Sequence, residues 1–272
     1  MKSVYEGAQL KGMYEQGFSH RESYLNRARE CAKLTIPTLL RDQGSNWATT
    51  FPTPYQSIGA RGVNHLASKL LLTLLPPNAP FFRLTIDDFD IAELVGEDQR
   101  GAVEEGFAKI ERSAMNQIET EAYRVPVFEA LKHLIVTGNC LLYLPEEGGM
   151  RVFHLDRFVC KRDPMGNLLY IITKESLDAK TIPEDARVAL GLPSPQELSP
   201  ESPDKPYELY TYVCNKGKYW HIHQEIGSTV IPESFGKFPI DKNPFIALRF
   251  SRVDGESYGR GLVEEYLGDI KS

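Results

Sequence analysis

The sequence predicts an α+β fold, and three observations carry that reading. Apolar residues recur every three or four positions through most of the first half of the chain. From Asn139 onward the period shortens towards two, and β-branched and aromatic residues replace helix formers. The connections between those later strands are too short for parallel crossovers, so the strands pair as an antiparallel meander with hairpins. The expectation is N-terminal helices over 1–138 and a β-rich part over 139–272 that ends in a helix, either as two parts or as one intertwined domain.

Taken in order, Ser19 with Glu22 reads as a capping box. Tyr24, Leu25, Ala28, Cys31, Ala32 and Leu34 then give helical spacing as far as Pro37. A short helical or turn segment is expected around Thr38 to Asp42, and Trp47 sits in a Gly-Ser-Asn loop where it would pack onto a neighbour. Pro52 and Pro54 keep the next approach extended, and Pro76 with Pro77 stops the helix that follows, from Ser57 to Leu75. At about 100° per residue, Ala60, Val63, Leu66, Ala67, Leu70, Leu71 and Leu74 make one apolar face of this helix. Arg61, Asn64, His65, Ser68 and Lys69 face the other way, yet Ile58 and Leu72 fall among them. A helix apolar on both sides is expected to be covered twice, by its own core and by a neighbouring element or subunit.

Phe81 to Ile86 reads as a strand. The charged segment from Gln99 to Thr120 reads as a helix, with Val103, Phe107, Ile110, Ala114, Gln117 and Ile118 three or four apart. Pro126 opens another helix that ends at Gly138. Cys140 to Leu144, Val152 to Leu155, Phe158 to Lys161 and Leu168 to Lys174 then read as successive strands of one sheet, with turns at Glu146–Gly149 and Asp163–Asn167. A short helix from Thr181 to Gly191 follows. Five prolines between Pro193 and Pro206 mark an extended, solvent-facing loop and a candidate boundary. Tyr207 to Cys214 and Tyr219 to Ile226 form the clearest hairpin, turning at Asn215–Lys218. Phe245 to Phe250, a glycine-containing turn over Gly255–Gly261 and a terminal helix carrying Leu262, Val263, Tyr266, Leu267 and Ile270 close the chain.

With 272 residues, 42% of them hydrophobic, the chain has the material for a sizeable core. Its longest apolar run, near Leu70–Leu75, falls far short of the roughly 18 to 20 residues of a membrane span. Tyr5, Glu6, Lys11 and Glu15 stand where a secretory signal would be apolar, so the chain is expected to stay in the cytosol that makes it. The net charge of −6, from 37 acidic and 31 basic residues, weighs against tight wrapping of DNA by phosphate neutralisation but not against weak, sliding contact. Cys31, Cys140, Cys160 and Cys214 are scattered without a Cys-x-x-Cys pair and read as reduced, buried small hydrophobes.

The search for chemistry yields little. His221, His223 and Glu225 alternate along one strand and so share a face with a zinc-competent donor set. No matching ligand accompanies them, and an exposed hairpin face is the simpler reading. Asp87, Asp88 and Asp90 read as a solvated connection near a helix start. Gly255, Gly259 and Gly261 do not have dinucleotide-loop spacing and read as a flexible turn that lets Tyr258 and Arg260 approach a neighbour. No phosphate-binding loop, nucleophile elbow or nucleic-acid module is present. Glu264 and Glu265 sit about 100° apart on a helix and form no acid/base pair. Lys161, Arg162, Lys216 and Lys218 lie at strand ends or turns, where solubility is their simplest role. No catalytic, cofactor or metal residue is assigned, and no cofactor is expected.

Three stretches nevertheless carry a family texture: Pro52 to Pro77, Leu131 to Pro145 (LKHLIVTGNCLLYLP) and Ser257 to Lys271 (SYGRGLVEEYLGDIK). They resemble the head-to-tail connector, or portal, proteins of short-tailed bacteriophages. The resemblance implies a wing-like α+β fold and a structural protein without enzymatic activity. It further implies a homo-oligomeric ring, usually dodecameric, at one vertex of the virion, assembled in the host cytoplasm. Through such a ring a separate terminase packages double-stranded DNA and the genome is ejected. Scaffolding and major capsid proteins and tail adaptor proteins are the implied partners, and no membrane is involved. Family members are about twice as long, so the resemblance places this chain in the N-terminal portion, mostly the outer wing. The two-sided helix and the terminal helix are the expected subunit contacts, because ring closure needs heterologous interfaces. Two other readings stay open. One is a metal-dependent enzyme acting on phage DNA through His221, His223 and the Asp87, Asp88, Asp90 cluster, which loss of both histidines would silence. The other is a monomeric head or tail adaptor, distinguished by oligomeric state.

Overall fold

A computed structural model describes residues 10–40, 50–51, 53–77, 79–85, 99–182, 184–192 and 206–272. Helices α1 (Leu10–Leu34), α2 (Ile58–Leu74), α3 (Arg100–Thr120) and α4 (Arg124–Thr137) lead the described chain. Strands β1 (Asn139–Tyr143), β2 (Arg151–Phe153), β3 (Phe158–Arg162) and β4 (Leu168–Leu177) follow, then helix α5 (Glu184–Leu190). After it come β5 (Tyr207–Asn215), β6 (Tyr219–Ile226), β7 (Thr229–Val230), β8 (Gly236–Pro239) and β9 (Phe245–Arg249), and the short helices α6 (Leu262–Glu265) and α7 (Leu267–Lys271). The α+β class is as the sequence predicts, and every strand pairing is antiparallel.

The strands divide between two sheets instead of continuing one. β2-β1-β9 form the smaller; β3-β4-β5-β6-β7, with β8 also on β6, form the larger. The chain crosses between them at Leu155–Arg157, a single 3-10 turn. Arg21 of α1, fully buried, donates to the carbonyls of Leu155, the first residue of that turn, and Phe158, which follows it. A buried guanidinium with carbonyl partners can hold such a crossing because each oxygen it satisfies would otherwise be orphaned.

The same helix corrects the expected start at Ser19. Among the described residues α1 runs from Leu10, and Ser19 and Glu22 lie in its interior. Two distant contacts extend it. Leu10 and Tyr14, with Met13 and Phe18 beside them, bury against Val159, Ile172 and Tyr210 of the larger sheet. The Leu10 N–H donates to Glu225 Oε2 at 2.9 Å, placing a carboxylate at the start of the helix.

The remaining helices match their sequence signals closely. Gly138 ends α4 in the left-handed conformation, with φ 76°. In α2, Val63 and Ala67 are buried while Ile58 and Leu72 are exposed, and Leu74, expected on the apolar core face, is exposed as well because the helix end runs past the core. The terminal helix is broken at Tyr266 into α6 and α7. Residues 81–85 form no strand, and Ile86 lies outside the described residues. No described segment offers Phe81–Thr85 a ladder partner, so their backbone polar groups have no sheet to join. Asp42, Trp47 and the loop over 193–205 also lie outside the described residues. No described helix is long and apolar enough to cross a membrane.

The main core joins α1, α2 and α4 to strands of both sheets, with Leu25, Ile135, Leu141, Phe158, Ile171 and Val213 among its fully buried members.

Candidate functional site

The three stretches that carry the family texture meet in space. α2 packs on α4, and α4 packs on α6. The second and third stretches meet at a backbone junction between Gly138–Asn139 and Gly259–Gly261. A Cβ on Gly138 would lie 2.4 Å from the Arg260 carbonyl carbon, and one on Gly261 would lie 2.7 Å from the Val136 carbonyl oxygen. Only glycine permits that approach. Asn139, also buried, accepts from the Gly259 N–H at 2.7 Å and donates to the carbonyls of Gly259 and Thr137, at 2.9 and 3.1 Å.

This overturns the expectation of a flexible turn offering Tyr258 and Arg260 to a neighbour. Tyr258 is buried, and its hydroxyl accepts from the Cys160 N–H at 3.0 Å. Arg260 bonds Glu256 and Glu264, at 2.9 and 2.7 Å, and its guanidinium stacks over Tyr24. Those two carboxylates hold its proton more tightly than usual, and its guanidinium in turn keeps the Glu256 carboxyl below its ordinary range. Arg27 adds a second cation on Glu264 at 3.0 Å, which fastens α6 to α1. The paired Glu264 is therefore a structural anion, and Glu265 beside it is exposed.

On the outer side the packing is incomplete. An open groove of about 440 Å³ runs between α2 and the terminal helices, with Ile58, Gly62, Leu66, Leu262, Tyr266 and Ile270 among its walls. Gly59 brings α2 against the end of α1, where a Cβ would lie 2.8 Å from the Leu34 carbonyl oxygen. At the groove's rim Tyr55, Ile58 and Tyr266 are exposed, and Leu72 and Leu74 continue the apolar surface along α2. Its lining is mostly apolar, with Thr35, Gln56, Tyr266 and Asp269 as the polar members. Its chemistry is burial of apolar surface, worth roughly 25 cal/mol per Å² removed from water.

Among the described residues the metal candidates do not assemble. His223 and Glu225 are 3% and 2% exposed, not on a free hairpin face, because α1 and Phe235 cover them. His223 stacks on Phe235 and meets Tyr212 edge-on. Burial lowers its pKa, with the Lys216 charge adding to the effect, so it is neutral at pH 7. Glu225 receives Leu10, while His221 is half-buried opposite Cys214 and Lys237. Among the described residues no three His, Cys, Asp or Glu side chains are grouped to hold a metal ion. Asp87, Asp88 and Asp90 lie outside the described residues. All four cysteines are free and buried. Burial pushes the thiols of Cys31 and Cys160 up to about 11 and that of Cys140 up to about 12, so these three stay protonated.

Sequence reasoning did not single out Arg21, which sits between His20 and Glu22. It also took Arg162 for a surface cation. That guanidinium instead spans three carbonyls, donating to Ser257, Gly166 and Ala247 at 3.2, 3.0 and 2.8 Å.

Comparison with known proteins covers nearly the whole chain. The profile of the bacteriophage head to tail connecting protein family matches residues 8–272. The chain is 41% identical over 270 residues to the portal protein of Enterobacteria phage T3, covering 96% of this chain and 49% of that protein. It is 40% identical over 271 residues to the portal protein of Escherichia phage T7, with the same two coverages. To the portal protein of Enterobacteria phage SP6 it is 33% identical over 267 residues, covering 97% of this chain and 50% of that one. The chain thus spans about half the length of the curated relatives it matches.

Proposed function

The chain belongs to the bacteriophage head to tail connecting protein family, and from that premise we propose that it acts as part of a portal ring. In this reading its subunits close into a homo-oligomer, usually dodecameric, at one vertex of the virion after assembly in the host cytoplasm. The ring is a channel through which terminase packages double-stranded DNA and the genome leaves. It nucleates head assembly with scaffolding and major capsid proteins and docks tail adaptor proteins. Its role is structural and not enzymatic. The helices over 1–138 and the strands over 139–272 work as one wing-like body.

The observation that carries the ring is the outer face of α2. Ile58 and Leu72 are 67% and 57% exposed on a helix whose other face is core, and the groove beside them is apolar. A soluble chain gains nothing from such a surface alone, whereas a heterologous contact with the next subunit removes it from water. Against the metal-enzyme reading stands the burial of His223, which stacks on Phe235 inside the fold.

Negative-stain electron microscopy with native mass spectrometry on the purified chain tests the proposal. A ring with a central hole is the expected result. A uniform monomer would remove the claim that this portion holds the ring contacts, leaving a portal portion without its assembly helices or a protein that is not a portal.

A further inference from the structure

Three guanidiniums converge on one glycine at the end of both sheets. Arg162 leaves β3, Arg249 closes β9, and Arg252 follows two residues after Phe250. Arg162 Nη1 donates to the Gly166 carbonyl at 3.0 Å. A Cβ built on Gly166 would stand 3.1 Å from Arg249 Nη2 and 3.1 Å from Arg252 Cζ. The turn that carries Gly166 is itself fixed. Gly166 has φ 90°, and Asp163 holds the Asn167 N–H and side-chain amide at 2.7 and 2.9 Å.

Such a cluster is costly unless an anion answers it, because like charges this close repel and burial strengthens the repulsion. Among the described residues no carboxylate pairs with Arg162 or Arg249. Arg162 is committed to backbone carbonyls, and Arg249 Nη1 donates to the Glu256 carbonyl at 2.9 Å. The sole acid paired with any of the three among the described residues is Asp254, 3.9 Å from Arg252 and almost fully exposed. The Asp163 carboxylate is turned into its own loop. The Arg249 guanidinium consequently holds its proton less tightly than usual, from burial first and then from its two arginine neighbours.

We propose that Arg249 and Arg252, braced by Arg162 across the Gly166 turn, form a binding site for a phosphate oxyanion. The guanidinium forks of Arg249 and Arg252 are half-buried and exposed respectively, so the site is open to solvent with one arm pre-positioned. Several donors converging from separate side chains suit a phosphate group better than a carboxylate, whose two oxygens one guanidinium already satisfies. The phosphate can belong to a nucleic-acid backbone or be free in solution. The overall net charge of −6 makes this a local contact and not part of a basic track. The site does not depend on ring formation, since all its residues lie within one chain.

The test is titration of the purified chain at low salt with inorganic phosphate, followed by calorimetry, and with a short fluorescent DNA duplex, followed by anisotropy. Arg252→Gln, at an exposed position, is compared with Lys180→Gln, which removes one exposed charge beyond the opposite end of β4. The expected result is phosphate binding that weakens roughly tenfold in Arg252→Gln, the loss of one hydrogen bond to a charged group, and is unchanged in Lys180→Gln. Duplex binding with the same dependence identifies a nucleic-acid backbone as the source, and phosphate binding without duplex binding identifies free phosphate. The proposal is overturned if neither ligand binds or if the two variants behave alike. It is equally overturned if Arg252→Gln leaves both titrations unchanged but breaks self-association, because a carboxylate of a second copy would then be the partner.

Discussion

The junction at Gly138 and the outer face of α2 lie on helices packed against one another, and they differ in how completely the chain satisfies them. At the junction every polar group of Asn139 has a partner, and no space remains for a Cβ on Gly138 or Gly261. On the outer face of α2, Ile58 and Leu72 meet solvent beside an open apolar groove. Both regions fall in stretches that resemble the same family, yet they serve different ends. The first region makes the subunit and the second, in the proposed reading, joins subunits. Substitutions should therefore separate cleanly into those that unfold the chain and those that only prevent association.

The largest loss is expected at the junction. Gly138→Ala places a Cβ against the Arg260 backbone at a positive φ, and we expect about 3 kcal/mol or more of destabilisation, read by urea denaturation. Asn139→Ala should cost about 2 kcal/mol, because the buried N–H and carbonyl of Gly259 lose their partner without gaining water. A loss close to zero for either would mean that the junction yields easily and the contrast is false.

Acidification should act more gently and only on the interior. His133 and His223 are buried, and burial lowers both pKa values below 6.5. The unfolded chain therefore binds protons that the folded chain refuses. Their contribution is fully present above about pH 6.5 and is lost as pH falls below it, towards the lowered folded values. Melting curves between pH 7.5 and 5 should shift downward, less so in His223→Gln, and a shift identical in wild type and variant would exclude His223 as a source. The smallest effect on folding belongs to the outer face: Ile58→Asp should change stability by no more than about 0.5 kcal/mol in a monomer.

What the sequence discloses follows the range of the interactions involved. α2, α3, α4 and the β5–β6 hairpin are legible because periodicity, prolines, Gly138 and the turn at Asn215 act within a few residues. The start of α1 is not, since its partner Glu225 lies 215 residues away. The division into two sheets depends on Arg21 reaching Leu155 and Phe158, more than a hundred residues on. His223 and Glu225 alternate as an exposed strand would, and only the covering α1 and Phe235 reveal them as interior. For the candidate surface the position is reversed. Ile58 and Leu72 violate a helical wheel, which is local information, so the amino-acid order alone marks the helix as two-sided. The groove beside it needs the terminal helices to be placed. The arginine cluster at Gly166 is likewise invisible in the sequence, because its members come from β3, β9 and the segment that follows it.

If the outer face of α2 joins subunits without holding the subunit together, association and stability should come apart at Ile58. Native mass spectrometry of wild type and Ile58→Asp, paired with melting curves of both, tests this most directly. The expected result is a ring-sized oligomer from the wild type, and from the variant smaller species with melting unchanged once dissociation is allowed for. Rings of equal size and stability from the two proteins would contradict it.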